Sequence, residues 1–125
     1  MSLYDLSCIP EALHYAAEWV RRRGMLRFDV TLTSDNGALI VRQYTLDGSF
    51  AGARASGSQV EVTSHQLLAA ARWATPGDDM APVELLADDR MLLVTQGDDR
   101  AAFDTGGEPA SEEYLAVAPL DRNHR

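Results

Sequence analysis

The chain has 125 residues, of which 46% are hydrophobic, so we expect one globular domain, residues 1–125, with a core of its own. Its net charge is −8, from 19 acidic residues against 11 basic ones that are all arginine. Such a surface repels nucleic acid, so any DNA contact must be local. No apolar run of 18 residues occurs and "MSLYDLSCIP" lacks a secretory signal pattern, so we expect a cytoplasmic protein without membrane contact.

The first predicted elements are a short strand around Leu6 and Cys8 and an amphipathic helix from Pro10 to about Arg23. Pro10 suits the first helical position, where its missing N–H costs nothing. The apolar face of this helix recurs at helical spacing and consists of Leu13, Ala16, Ala17 and Val20.

From Leu26 the apolar period changes to two, since Phe28, Val30 and Leu32 alternate with polar residues. The sequence "SDNG" then predicts a tight turn into a second strand, "ALIVRQYTL". This pattern indicates a β-hairpin. A further short strand is expected around residues 50–55, ahead of the small and polar residues "SGSQ".

The second helix begins after the strand "VEV" and ends before "TPGDD". Thr63 and Gln66 have the spacing of a capping box, in which each residue satisfies a backbone N–H of the other. Beyond the helix, "PVELLADDRMLLVTQGDDRAAFDT" predicts three strands separated by Asp-rich turns, and "EEYLAVAPL" predicts one more strand.

The two halves of the chain repeat one pattern. At an offset of 54, the pairs that coincide are Leu6 with Val60, Cys8 with Val62, Leu13 with Leu67, Ala16 with Ala70, Ala17 with Ala71, and Trp19 with Trp73. At an offset of 53 they are Val30 with Val83, Leu32 with Leu85, Asp35 with Asp88, Leu39 with Leu92, Val41 with Val94, and Phe50 with Phe103. A β-α-β-β-β unit therefore occurs twice, at about residues 2–56 and 57–121.

Two such units resemble one domain of a DNA sliding clamp, as in the bacterial clamp subunit and proliferating cell nuclear antigen. The second half, "VTSHQLLAAARWATPGDDMAPVELLADDRMLLVTQGDDRAAFDT", is similar to the clamp order of strand, helix, short break and three strands, and "EEYLAVAPLD" resembles the strand that ends a clamp domain. The resemblance implies an α+β fold in which both helices lie on one face of antiparallel sheets.

The resemblance also implies a function without catalysis. Clamp domains join edge to edge into a ring, and basic residues on the helices that line its hole meet the phosphate backbone without reading sequence. We therefore expect a single-domain, clamp-like homo-oligomer that holds double-stranded DNA and tethers replication or repair partners. Its candidate DNA-binding residues are Arg21, Arg22, Arg23, Arg27 and Arg72.

Three features leave other interpretations open. Arg21–Arg23 also end a helix favourably against its dipole. Glu11 and Glu18 stand on the helix face turned away from the sheet and repel DNA, and one domain per chain is fewer than the two or three of known clamps. The alternative function is an acidic interaction module that inhibits or regulates another protein without binding DNA. A peptide groove around residues 49–59, as clamps have, is neither indicated nor excluded.

We expect no catalytic residue, metal site or cofactor. Cys8 stands among apolar residues and is interpreted as a small buried side chain. His14 and Glu18 have i, i+4 spacing, but no further ligand accompanies them. The acid pairs at 78–79, 88–89 and 98–99 fall in predicted turns, where Asp accepts backbone hydrogen bonds.

Overall fold

The computed structural model describes residues 5–53, 59–77 and 79–116. Its elements are β1 (Leu6–Cys8), α1 (Pro10–Arg23), β2 (Asp29–Asp35), β3 (Ala38–Gln43), β4 (Leu46–Ala51), β5 (Gln59–Thr63), α2 (Ser64–Trp73), β6 (Val83–Ala87), β7 (Met91–Gln96), β8 (Asp99–Asp104) and α3 (Glu112–Ala116). The predicted α+β class is confirmed, and so is the order β-α-β-β-β, which occurs twice before α3.

The strands form two antiparallel sheets of four, in the orders β1-β6-β7-β8 and β4-β3-β2-β5. The first strand of each repeat pairs with the sheet of the other repeat, because β1 lies beside β6 and β5 lies beside β2. Each half thus completes the sheet of the other half.

The strand register confirms the repeat residue by residue. Leu6 lies opposite Leu85 in one sheet, and Val60 lies opposite Leu32 at the equivalent place in the other. The outer pairs agree as well, since Leu39 with Phe50 and Leu92 with Phe103 are each directly opposite. The offsets found in the sequence therefore correspond to equivalent positions in the two sheets.

The two long helices pack against each other, and one buried cluster contains side chains from both helices and both sheets. Leu13 and Leu67 are fully buried at equivalent positions, and the alanines around them allow a close approach of helix to helix and helix to sheet. The predicted ends of both helices are confirmed, with Pro10 at the start of α1 and the capping box of Thr63 and Gln66 at the start of α2.

The strand predicted from "EEYLAVAPL" is wrong for residues 112–116, which form α3; the rest of that segment lies outside the described residues. Ser111 Oγ accepts the N–H of Tyr114, at 3.1 Å, which favours a helical turn. Tyr114 and Leu115 pack on Leu86 and Leu93, on the face of the β6-β7-β8 sheet that is turned away from the main core. Burial of this second apolar face decides the conformation of the segment.

The corner between β3 and β4 also differs from the prediction. The strand expected to run to Leu46 ends at Gln43, and a two-residue turn, Tyr44 and Thr45, leads into β4. Tyr44 adopts a left-handed conformation, with φ 57°. Sequence patterns miss this turn because it lacks the glycine or asparagine that usually supplies positive φ. The Asn36-Gly37 turn was predicted correctly, with φ of 51° and 83°.

Two buried glutamines at equivalent positions fix the loop that follows each helix. Gln43 Nε2 donates to the carbonyls of Met25 and Phe28, at 2.7 and 3.1 Å. Gln96 exchanges bonds with the backbone N–H and carbonyl of Thr75, at 2.9 and 2.8 Å. An unpaired buried backbone group is costly, and each glutamine serves as an internal partner for loop backbone that no strand satisfies.

We expect Gln43→Leu and Gln96→Leu each to lower the free energy of unfolding by about 1–3 kcal/mol, the cost of leaving buried backbone groups unpaired. Urea denaturation followed by tryptophan fluorescence measures the change. The exposed Gln59 provides a matched control, and Gln59→Leu should stay within about 0.5 kcal/mol of the parent. Equal effects at all three positions would contradict the structural role assigned to the buried pair.

Candidate nucleic-acid interface

The last turn of α1 carries three consecutive arginines. The helix ends because Gly24 adopts the left-handed conformation, with φ 70°, and its N–H donates to the Arg21 carbonyl at 3.2 Å. Arg21, Arg22 and Arg23 are all exposed. Their charge is favourable beside the free carbonyls of the helix end, so these arginines have a structural reason for their position whether or not they bind a ligand.

Glu18 lies one turn earlier and binds two of these arginines. Its carboxylate accepts from Arg21 Nε at 3.1 Å and from Arg22 Nε at 3.0 Å. The hydrogen bonds from Arg21, and then those from Arg22, lower the pKa of Glu18 to about 2. Glu18 is therefore ionised at neutral pH, and it offsets part of the positive charge at this end of the helix.

Arg23 is oriented by an aromatic ring. Its guanidinium carbon lies 4.9 Å from the centre of the Trp19 ring, within cation–π distance. Trp19 in turn covers Gly48 of β4, where an added Cβ would stand 2.9 Å from the indole nitrogen. The absence of a side chain at Gly48 thus lets Trp19 approach the strand closely, with Arg23 over its ring.

Arg27 stands in the loop between α1 and β2 and is exposed. The loop is fixed on both sides of it, because Gln43 binds the carbonyls of Met25 and Phe28. Arg27 therefore projects from a loop that the core glutamine holds in place. Together with the end of α1 it forms the arginine cluster, defined as Arg21, Arg22, Arg23 and Arg27.

Arg72 is the candidate residue that α2 contributes. It lies exposed in the last turn of α2. That turn is next to the middle of α1, since His14 Nε2 and the Ala74 carbonyl are 3.1 Å apart. Arg72 is the fifth candidate DNA-binding residue of the sequence, and in the structure it lines a groove beside β8 with His65 and Trp73.

This groove beside α2 has a volume of about 430 Å³, and sequence reasoning missed it. At the equivalent place in the first repeat, Tyr15 stacks on Phe50 with ring centres 6.2 Å apart. The counterpart of Tyr15 is Ala69, so Phe103 has no such ring above it and the groove stays open. In the sequence, this groove is indicated by the alanine, Ala69, that stands at the position equivalent to Tyr15.

Two side chains expected to face away from the core instead join α1 to the loop after α2. Glu11 accepts the N–H of Gly77 at 2.8 Å, and His14 contacts the Ala74 carbonyl. Glu11 is therefore engaged in a structural contact. It is one of the two carboxylates on α1 that were expected from the sequence to repel DNA.

Cys8 and Asp88, two potentially reactive side chains, have structural surroundings. Cys8 is fully buried, as predicted, and burial raises the pKa of its thiol to about 12. Asp88 accepts the N–H groups of Arg90 and Met91 at 2.8 and 2.7 Å, as expected of a turn acid. Among residues 5–53, 59–77 and 79–116, no group of three His, Cys, Asp or Glu has a geometry for a metal ion. None of the helices in these ranges has the length and apolar character to cross a membrane.

The chain matches no known family model and no curated protein. Its class therefore follows from its own coordinates. It is an α+β protein with two antiparallel sheets of four strands and three helices in the part of the chain that the structure describes.

We expect NMR titration to give Glu18 a pKa of about 2, and the double substitution Arg21→Ala/Arg22→Ala to raise that pKa towards its ordinary value of 4.5. Since the folded pKa is the lower one, the ion pairing stabilises the protein fully above pH 4.5 and its contribution disappears as pH falls towards 2. An unchanged pKa in the double variant would show that the arginines do not hold this carboxylate.

Proposed function

We propose that this chain is a non-enzymatic, clamp-like protein that assembles with itself and holds double-stranded DNA by its phosphate backbone, as a platform for replication or repair partners. The observation that carries the proposal is the arginine cluster at the end of α1. All four of its side chains are exposed, and both the helix end and the following loop are held by backbone and glutamine contacts.

The local charge supports a DNA contact on a protein that is acidic as a whole. Four arginines minus the adjoining Glu18 leave a charge of +3 at this place, against −8 for the chain. Duplex DNA has a high density of negative charge, and each phosphate that a basic residue binds releases condensed counterions. Binding through such a cluster is weak, indifferent to sequence and strongly reduced by salt.

The fold supports the clamp-like part of the proposal. Two β-α-β-β-β repeats share one core, and their long helices pack side by side. A paired-helix layer backed by two sheets offers a firm surface on which DNA can rest without insertion into a groove. Arg72 would add a contact only where the DNA extends to the other helix.

Fluorescence anisotropy with a labelled duplex tests the DNA interaction. We expect Arg23→Ala/Arg27→Ala to weaken binding and to reduce the slope of log affinity against log salt by about two, one for each phosphate that is no longer bound. Arg42→Ala/Arg90→Ala removes the same charge from exposed positions elsewhere and should leave the slope nearly unchanged. Equal weakening in both double variants would indicate a general charge effect and contradict a local interface.

Substitution of Glu18 tests the same interface by a change that should strengthen DNA binding. Glu18→Gln frees Arg21 and Arg22 and removes a negative charge, so we expect it to tighten duplex binding. Glu61→Gln makes the same change at an exposed position in β5 and serves as the control. If the parent chain and Glu18→Gln both show no duplex affinity at low salt, the DNA proposal is wrong.

One observation favours a second candidate function, the acidic interaction module. Carboxylates of Asp29, Glu61, Asp88 and Asp89 line one cleft of about 200 Å³ where β2 and β5 meet the β6–β7 turn. Such a concentration of negative charge suits the basic surface of another protein. This module would inhibit or regulate its partner and would not bind DNA.

A labelled oligoarginine peptide is a suitable probe for this cleft. We expect Glu61→Gln/Asp89→Asn to weaken its binding, whereas Glu112→Gln/Glu113→Gln, two exposed acids of α3, should have little effect. Peptide binding that depends on the cleft, in a protein without duplex affinity, would establish the second function. Equal weakening in the two variants would contradict it.

A further inference from the structure

The two sheets end in equivalent edge strands, β4 and β8, whose edges differ. An uncovered edge strand presents unpaired N–H and C=O groups and can pair with another chain. Each edge can bind another strand only through backbone groups that point outward and have no partner.

The outward groups of β4 follow from its ladder with β3. Gly52 N–H donates to the Gly37 carbonyl at 2.8 Å, and these two residues are the next pair in the β3–β4 register. Antiparallel ladders alternate between pairs that exchange hydrogen bonds and pairs that do not. The backbone groups of Asp47, Ser49 and Ala51 therefore point away from β3.

At β8 the equivalent groups of Ala102 and Asp104 have partners in the segment that follows the strand. The N–H of Asp104 donates to the Glu108 carbonyl at 2.9 Å, and the carbonyl of Ala102 accepts the N–H of Ala110 at 2.8 Å. Phe103 and Pro109 form a bridge between these bonds. The segment after β8 thus folds back along the edge and covers it, and Pro109 has no N–H to offer a further strand.

At β4 the only strand partner within the described residues is β3. The two residues after β4 meet the end of β1, since the Ile9 N–H donates to the Gly52 carbonyl at 2.9 Å and Cys8 bridges Ala53. Apolar surface lies alongside this edge. Four of the five exposed large hydrophobic side chains in the described part of the chain adjoin β4 or the turn before it: Tyr15, Phe28, Tyr44 and Leu46. Tyr44 is 71% exposed and Tyr15 60% exposed, so the edge combines open backbone groups with a border of unburied aromatic rings.

We propose that β4 pairs with β4 of a second copy of this chain, antiparallel, with the twofold axis at Ser49. In this register Asp47 lies opposite Ala51 of the partner, and Ser49 lies opposite Ser49. Each residue whose backbone groups point away from β3 thus faces another such residue. Three hydrogen-bonded pairs then form, whereas an axis at Gly48 allows only two. No like charges lie opposite each other, and Asp47 keeps its ion pair with Arg42.

The helix-side face of β4 supports the same register. Phe50 faces Gly48 of the partner, and Trp19 covers that glycine. Phe50 therefore packs beside Trp19 of the second copy, while Tyr15 remains stacked on Phe50. The half-buried rings at this edge become covered, which adds apolar burial to the backbone bonds.

The pairing is between identical surfaces, so it closes after two copies. A head-to-tail ring that pairs β4 of one copy with β8 of the next would have to displace the segment that bonds Ala102 and Asp104. The proposed dimer specifies how the chain assembles with itself. It therefore rests on the self-assembly part of the proposed function and not on DNA binding. DNA binding is measured separately through the arginine cluster, so that failure of one can be told from failure of the other.

Light scattering coupled to size exclusion, together with sedimentation at several concentrations, should give twice the chain mass of 13.7 kDa and no larger species. Ser49→Lys places two lysines opposite each other at the axis, on the exposed face of the sheet. We expect it to raise the dimer dissociation constant about tenfold or more without unfolding the monomer. Thr31→Lys, on the same sheet face but in β2, should leave the dimer intact.

Cross-linking provides a second measurement, which detects the dimer without a substitution that disrupts it. Ser49→Cys should be joined to itself by a short bismaleimide, whereas Thr31→Cys should not, and buried Cys8 contributes no background. A monomer at all concentrations, a series of larger assemblies, or a dimer that Ser49→Lys leaves unchanged would overturn the proposal. Loss of the dimer with retained duplex binding would separate the assembly from the DNA function.

Discussion

The exchange of first strands between the two repeats is the constraint on which the rest of the structure depends. Because β1 pairs with β6 and β5 pairs with β2, neither repeat can complete a sheet alone. Each helix follows its exchanged strand directly, so α1 and α2 are brought side by side over one core. The repeated pattern in the sequence is thus an internal pairing that makes the two halves depend on each other.

The same constraint determines which strands and helix ends lie at the outside of the structure. The exchanged strands leave β4 and β8 as the outer strands of the two sheets, and they leave the helix ends exposed around the core. Backbone groups at β4 and carboxylates beside β5 therefore lie at opposite edges of one sheet, whereas the arginines at the end of α1 adjoin β4 through Trp19. The proposed contacts with a second copy, with DNA or with another protein are all made by residues of these exposed surfaces.

Differences between equivalent positions give these surfaces their character. Glu18, which binds the arginines of α1, corresponds to Arg72 in α2, and Tyr15, which fills the space over Phe50, corresponds to Ala69 beside an open groove. Repetition preserves the core, where volume and register must match. The outer positions carry no such constraint, so charge and shape there are free to serve binding.

The sequence by itself determined the features that depend on neighbours along the chain. The helix ends, the capping box at Thr63, the Asn36-Gly37 turn and the repeated order of strands and helix follow from local hydrogen bonding and apolar spacing. Tertiary structure alone decided the helical form of 112–116, the turn at Tyr44 and the glutamine hydrogen bonds, because each depends on a partner distant in sequence.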